Sequence, residues 1–161
     1  MPVRVLLSLG SNIGDSQAMI RSAMAAIERD ILRDTKRSKL WITEPVGYTD
    51  QPMFVNAAIV GFSDLSPIEI YAHCKSIEVE LGRQQRERWR EREIDIDVIL
   101  VGSEEYHDVN LDIPHARMAE RRFVLAPCNE IAPQMISPQS NLSIAELLAK
   151  CPDTSSVVAD E

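Results

Sequence analysis

Apolar residues recur along this chain with two periods, and the switch between them marks out the elements. Val3 to Leu9 is a mostly apolar run that predicts a strand, ending at Gly10-Ser11-Asn12-Ile13-Gly14-Asp15. Ile20, Ala23, Met24 and Ile27 then follow helical spacing, with Asp15 or Ser16 placed to cap the helix. Arg37 to Ile42 predicts a second strand, and Phe54 to Phe62 a third. Between them, Thr43 to Pro52 carries two prolines and a glycine and predicts a long loop. Ser66-Pro67-Ile68-Glu69 opens a second helix with proline at its first position. Ile70, Cys74, Ile77 and Leu81 form the stripe of that helix, and Gly82 stops it. Glu93 to Val101 is rich in Ile and Val, ends at Gly102, and predicts a fourth strand.

A hairpin-like stretch through Tyr106 and Val109 follows, then Ile113-Pro114-His115. Residues 117–125 are expected to be partly helical, and Ser143 to Lys150 forms a last short helix. The polar tail from Asp153 to Glu161 is expected to fray. The order β-α-β-β-α-β, with additions at the C-terminal end, matches the ferredoxin-like α+β pattern: a mainly antiparallel sheet covered by helices. With no repeat or linker, residues 1–161 are expected to form a single domain.

Composition narrows the class of function. The 161 residues suffice for one buried core, and 45% hydrophobic with 26% charged residues is ordinary for a globular protein. A net charge of −8 disfavours nucleic acid and anionic membrane as partners. No apolar run approaches the roughly 18 residues of a membrane span, and the first residues do not read as a secretory signal. Cys74, Cys128 and Cys151 are odd in number and lack C-x-x-C spacing, which points to reduced thiols in a cytoplasmic protein. His73, His107 and His115 form no metal pattern.

The chemistry concentrates around Asp95-Ile96-Asp97. Residues two apart in a strand share a face, so both carboxylates project together and repel unless a cation joins them. Oxygen ligands favour a hard divalent ion such as Mg²⁺. A bare D-x-D also fits a solvated outer face. The apolar residues around it suggest a central strand instead, where two acids need a reason. Directly upstream, Arg83 to Arg92 carries five arginines around Trp89. Acids for a metal beside arginines for phosphate suit a nucleotide-using transferase. Alternating Arg and Glu equally describes an exposed, salt-bridged segment, and Arg with Trp an RNA-binding one. Gly10-Ser11-Asn12 resembles a loose phosphate-binding turn, though a tight strand-to-helix turn accounts for it as well. Phe54 and Asn56 share a strand face and suit a flat heterocycle, or else a core Phe with a structural Asn. The Thr43–Pro52 loop before them is a candidate lid.

Together these residues resemble the 6-hydroxymethyl-7,8-dihydropterin pyrophosphokinases of folate biosynthesis. The resemblance is carried by Gly10-Ser11-Asn12, Thr43-Glu44-Pro45-Val46-Gly47, Asp50-Gln51-Pro52, Phe54-Val55-Asn56-Ala57, Gly82-Arg83, Arg88-Trp89, Asp95-Ile96-Asp97, Ile113-Pro114-His115 and Arg121 to Leu125. It runs from Leu7 to Pro133, and its specificity lies in the joint occurrence of these segments in this order.

The resemblance implies transfer of pyrophosphate from ATP, the co-substrate, to the pterin hydroxymethyl oxygen, with release of AMP. Asp95 and Asp97 would hold two Mg²⁺ ions. Arg83 and Arg92 would contact the phosphates, Arg92 stabilising the transition state. Lys75, Glu78, Arg88, Val98, His115 and Arg121 would line the ATP site with Arg92. Phe54 and Phe123 would stack on the pterin and Asn56 would pair with its edge. Thr43, Pro45, Val46 and Gly47 would supply backbone contacts, while Trp89 closes the site as the Gln84–Arg92 loop folds over ATP. The expected partners are these small molecules alone, with the chain acting as a monomer.

Four positions depart from the family pattern. Arg88-Trp89-Arg90-Glu91-Arg92 stands where Arg-Trp-Gly-Pro-Arg is usual, which changes the φ/ψ freedom of the loop. Gln85 replaces a second loop arginine, and Ala116 a Pro or Tyr. The rival readings are a degenerate relative that binds nucleotide or pterin without turnover, and a D-x-D nuclease or RNA-binding module.

Overall fold

The computed structural model describes residues 1–12, 14–43, 54–82 and 94–160. Strand β1 (Val3–Ser11) leads into helix α1 (Ser16–Asp30), whose first turn is capped by the Asp15 carboxylate accepting from the Ala18 amide at 3.1 Å. Strands β2 (Arg33–Arg37), β3 (Leu40–Thr43) and β4 (Phe54–Ser63) follow, then α2 (Pro67–Glu80). Ser66 and Glu69 form a reciprocal capping box at the start of α2, and Gly82, at φ +89°, takes the left-handed turn beyond its end. Strand β5 (Asp95–Val101), a short hairpin of β6 (Tyr106–His107) and β7 (Asp112–Ile113), α3 (Arg122–Ile131), α4 (Ile144–Lys150) and β8 (Val157–Asp160) complete the chain.

The main sheet runs β5-β1-β4-β3-β8, with β2 also paired to β4 and every described pairing antiparallel. Counting β2 and β3 as one interrupted strand restores the βαββαβ order of the ferredoxin-like α+β fold. Helices cover both faces. Val5, Leu7 and Leu9 of β1 and Val55, Ala57 and Ile59 of β4 pack with Ile20, Ala23, Met24 and Ile27 of α1 and Ile70, Cys74 and Ile77 of α2. On the other face Leu6, Ala58, Val60, Ile99 and Leu100 pack under Val124, Leu125, Cys128 and Ile131 of α3 and Ile144 and Leu147 of α4. Burial pushes the Cys74 and Cys128 thiols up to about 12, so both stay protonated within these layers.

Several elements differ from what the sequence pattern predicts. The strand expected at 37–42 is two strands, 33–37 and 40–43. The Ser38 hydroxyl accepts from the Ala58 amide at 2.8 Å where the ladder breaks. Residues 117–125 are partly helical as expected, with a 3-10 turn at Met118–Glu120 and then α3, which runs beyond the expected end to Ile131 despite Pro127. Residues 157–160, expected to fray, pair with β3 from Thr43↔Val157 to Leu40↔Asp160. The strand of Asp95 and Asp97, expected to be central, is the outermost strand of the sheet among the described residues. Its apolar content comes from packing on both faces, which an outer strand under helices also provides.

Candidate active site

One end of a single sheet face is polar. Along β1, Leu6 lies under α3 and α4, and Ser8 and Gly10 continue that face. Along β4, Val60 and Ala58 give way to Asn56 and Phe54; along β5, Leu100 gives way to Asp97 and Asp95. The alternate residues Leu7, Leu9, Val55, Ala57, Ile96 and Val98 all belong to the α1/α2 core. Alternation therefore places Asp95, Asp97, Ser8, Gly10, Asn56, Phe54 and Thr43 on one face, the same face that carries α3 and α4 further along.

Strand register orders this face into rows. Trp41, Asn56, Gly10 and Asp95 are successive partners across β3, β4, β1 and β5, and Ala58, Ser8 and Asp97 form the next row. Two inter-strand spacings separate Asn56 from Asp95, about 10 Å. Gly10 stands between them, near the end of β1 but still paired on both sides, rather than in a strand-to-helix turn. A Cβ on Gly10 would lie 3.0 Å from Asn56 Oδ1, so the glycine is required by the close approach of that amide. Asn56 is buried and donates from Nδ2 to the equally buried Thr43 Oγ1 at 2.8 Å. Phe54 pairs with Thr43 across the strands, and both it and Phe123 are half-buried.

The β5 side is electrostatically loaded. Loss of solvation first, and the adjacent Asp95 second, push Asp97 up to about 7; Lys75 and Arg121 pull the other way. Burial works against the Lys75 ammonium, yet Glu78, Asp95 and Asp97 together raise it above its ordinary value. Glu78, buried on α2, pairs with Lys75 Nζ at 3.2 Å and accepts from the Ile96 amide at 2.7 Å. Since Ile96 lies between the two aspartates, that bond fixes the backbone that aims them.

A β-bulge at Ile99 breaks the β1 register, and the Ile99 carbonyl accepts from the His115 amide at 3.1 Å. This bond ties His115 to β5. Burial and then Arg121 lower His115, which favours the neutral ring. Nδ1 accepts from the Arg117 amide at 3.2 Å, leaving Nε2–H as a donor. A cleft of about 200 Å³ joins these groups along β5, lined by Tyr71, Lys75, Ile96, Asp97, Val98, Asn110, Leu111, Asp112, His115 and Ala116. Arg121 lies 5.8 Å from the centre of the Phe123 ring, at the start of α3.

The structure thus brings Lys75, Glu78, Asp97, Val98, His115 and Arg121 together on one side, and Thr43, Phe54 and Asn56 on the other. Arg83, Arg88, Trp89 and Arg92, with Pro45, Val46 and Gly47, lie outside the described residues, as do both candidate loops. Tyr71 and the Asn110–Asp112 turn line the cleft without having been expected there. Tyr71 had a signal, being one helical turn before Lys75, and its ring lies 5.4 Å from Lys75 Nζ. The turn had none, because only the hairpin brings it back onto β5.

Among the described residues no group of three or more His, Cys, Asp or Glu could hold a metal alone. Two mutually repelling carboxylates still fit Mg²⁺, which binds through one or two acids and completes its shell with substrate phosphates and water. Paired acids opposite a lysine and an arginine, beside a cleft on an α+β sheet, suit the binding of a phosphorylated ligand with a divalent ion.

The sequence pattern of the 7,8-dihydro-6-hydroxymethylpterin-pyrophosphokinase (HPPK) family matches residues 6–133, and the chain belongs to this family. It is 42% identical over 130 residues to the 2-amino-4-hydroxy-6-hydroxymethyldihydropteridine pyrophosphokinase of Bacillus subtilis, covering 80% of this chain and 78% of that protein. It is 37% identical over 152 residues to the enzyme of that name from Pseudomonas aeruginosa, covering 92% of each. Among solved structures, Plasmodium falciparum HPPK-DHPS, a triple mutant with pteroate, shares the fold at TM-score 0.70 and 15% identity. That match covers 93% of this chain and 43% of the longer one.

Proposed function

We propose that this chain transfers the terminal pyrophosphoryl group of MgATP to the hydroxymethyl oxygen of 6-hydroxymethyl-7,8-dihydropterin, giving the pterin pyrophosphate and AMP for folate biosynthesis. The observation that carries the chemistry is the Asp95/Asp97 pair on one strand face, with Asp97 raised by burial and by its neighbouring carboxylate. Membership of the HPPK family supplies the substrates. Mg²⁺, two ions in this reading, supplies charge neutralisation across the phosphates and alignment of attacking and leaving oxygens.

The described residues divide the remaining work. Asp95 and Asp97 hold the metal, and Glu78 aims them through the Ile96 amide. Lys75, His115 Nε2–H and Arg121 donate to phosphate oxygens. The cleft bounded by Val98 and the Asn110–Asp112 turn takes the base of ATP. Asn56, held by Thr43, reads the polar edge of the pterin between Phe54 and Phe123. The pterin oxygen then faces the β-phosphorus across Gly10, which itself offers no side chain. As that oxygen bonds to the β-phosphorus, the bond from the β-phosphorus to the bridging oxygen of AMP breaks. Arg83, Arg88 and Arg92 are assigned to the phosphates and Trp89, Pro45, Val46 and Gly47 to the pterin.

We also infer a monomer in the cytoplasm; among the described residues no helix is long and apolar enough to cross a membrane. The deciding experiment separates AMP from ADP after incubation of the protein with MgATP and the hydroxymethyl pterin. AMP and pterin pyrophosphate in equal amounts are expected. ADP, or no turnover at any Mg²⁺ concentration, would overturn the proposal.

A further inference from the structure

Glu130 sits on α3 away from the carboxylates and cleft, yet its side chain is fully used. Both carboxylate oxygens accept from the Lys39 amide, at 3.1 and 3.0 Å, and Oε1 also accepts from the Trp41 indole at 2.9 Å. These donors lie where β2 ends and β3 begins. Ser38 satisfies its own part of the break through the Ala58 amide and carbonyl, at 2.8 and 2.9 Å. The Lys39 amide is met by α3 instead. A helix carboxylate thus takes the place of a ladder partner at the start of β3.

What Glu130 joins matters more than the bonds themselves. Trp41 pairs with Asn56 across the sheet and shares a strand face with Thr43, the residue that holds the Asn56 amide. On α3, Phe123 precedes Glu130 by seven residues, two turns, so the two lie on one side of the helix about 10 Å apart. The carboxylate therefore sets the spacing between the helix that carries Phe123 and the strands that carry Thr43, Phe54 and Asn56.

We propose that Glu130 is a positioning residue: by holding the Lys39 amide and the Trp41 indole it fixes the width of the slot between Phe123 and the Phe54/Asn56/Thr43 wall. This rests on the reading of that wall as the pterin site. Glu130 touches no substrate, and nothing in its bonds reaches the β5 carboxylates, so its effect falls on one ligand only.

Titration of 6-hydroxymethyl-7,8-dihydropterin by fluorescence, with Mg²⁺ and α,β-methylene-ATP present, tests this beside nucleotide binding measured separately. Glu130→Ala is expected to weaken pterin at least tenfold and nucleotide less than twofold. Glu130→Gln, which keeps an acceptor, should recover most of that loss. Trp41→Phe should weaken pterin about threefold, with no further loss when added to Glu130→Ala. Trp41→Phe keeps the ring packing and decides the matter if Glu130→Ala fails to fold. Unchanged pterin affinity, or equal losses for both ligands, would overturn the inference. Asn56→Ala and Phe123→Ala are run alongside. If they leave pterin binding intact, the site reading itself fails; if they abolish it while the Glu130 and Trp41 variants bind normally, only the role of Glu130 falls.

Discussion

The two halves of this site are built to opposite specifications. On the β4 side Asn56 and Thr43 are buried and satisfy each other, and Glu130 braces the strand behind them. On the β5 side two carboxylates share a strand face, and Asp97 is raised to about 7 by burial and by its neighbour. One half is already in the form that a rigid heterocycle needs. The other holds two carboxylates side by side against partial offset by Lys75 and Arg121, a strain that either a proton or a cation relieves.

The widest separation between the halves should come from Asp95→Ala and Asp97→Ala. Each should lower kcat by about a thousandfold, the several kcal/mol that a metal clamp contributes, while leaving the melting temperature no lower. Steady-state kinetics with thermal melts checks both. A variant that loses activity by unfolding would remove the distinction.

Next in size, Asn56→Ala should weaken pterin between tenfold and a hundredfold. That is the range for removing one partner from a buried polar contact, about 1–3 kcal/mol. Nucleotide affinity should hold, by calorimetry. Loss of both ligands together would mean that the halves are one unit.

The third effect depends on pH. The Asp97 carboxyl has a folded value of about 7 against an ordinary value near 3.9, so the folded state binds the proton more tightly. The ligand-free protein should therefore lose stability as pH rises from about 4 to about 7, by at most about 4 kcal/mol in total. Asp97→Asn should flatten that slope. Mg²⁺ competes with the same proton, so its affinity should fall up to tenfold per unit below about pH 7. Denaturant titrations across pH, with and without Mg²⁺, read both trends; a flat profile would deny that this half is held in tension.

The smallest effect is at the seam. Gly10→Ala should cost about 1 kcal/mol through the contact of its Cβ with Asn56 Oδ1, and should disturb pterin more than nucleotide. A Gly10→Ala protein with wild-type melting and kinetics would show that the seam has room to spare.

Local chemistry was legible in the sequence wherever one segment carries the whole signal. Alternation alone puts Asp95 and Asp97 on one face, and Ser66-Pro67-Ile68-Glu69 announces the start of α2. The family resemblance supplied the roles that spacing merely permitted, for Asn56 and Phe123 above all. Features made by distant segments were not legible. Gly10 reads as a turn glycine because its reason, the Asn56 amide, is 46 positions away in sequence and adjacent across β1 and β4. Glu130 looks like any helix surface acid until the break at Ser38 and Lys39 is seen to face it. The outer position of β5 was hidden because helices bury an outer strand as fully as a central one.

The pairing of β8 with β3 has a consequence for the chain in solution. Leu40–Thr43 has β4 on one side, and without Val157–Asp160 its other row of amides and carbonyls would stand open as a template for a second molecule. β8 closes that row with four residues and ends on Asp160, whose carboxylate is taken by Gln17 Nε2 at 2.8 Å. Among the described residues the outward row of the sheet is thereby reduced to a strand of four residues that ends on an acid, a short and charged edge.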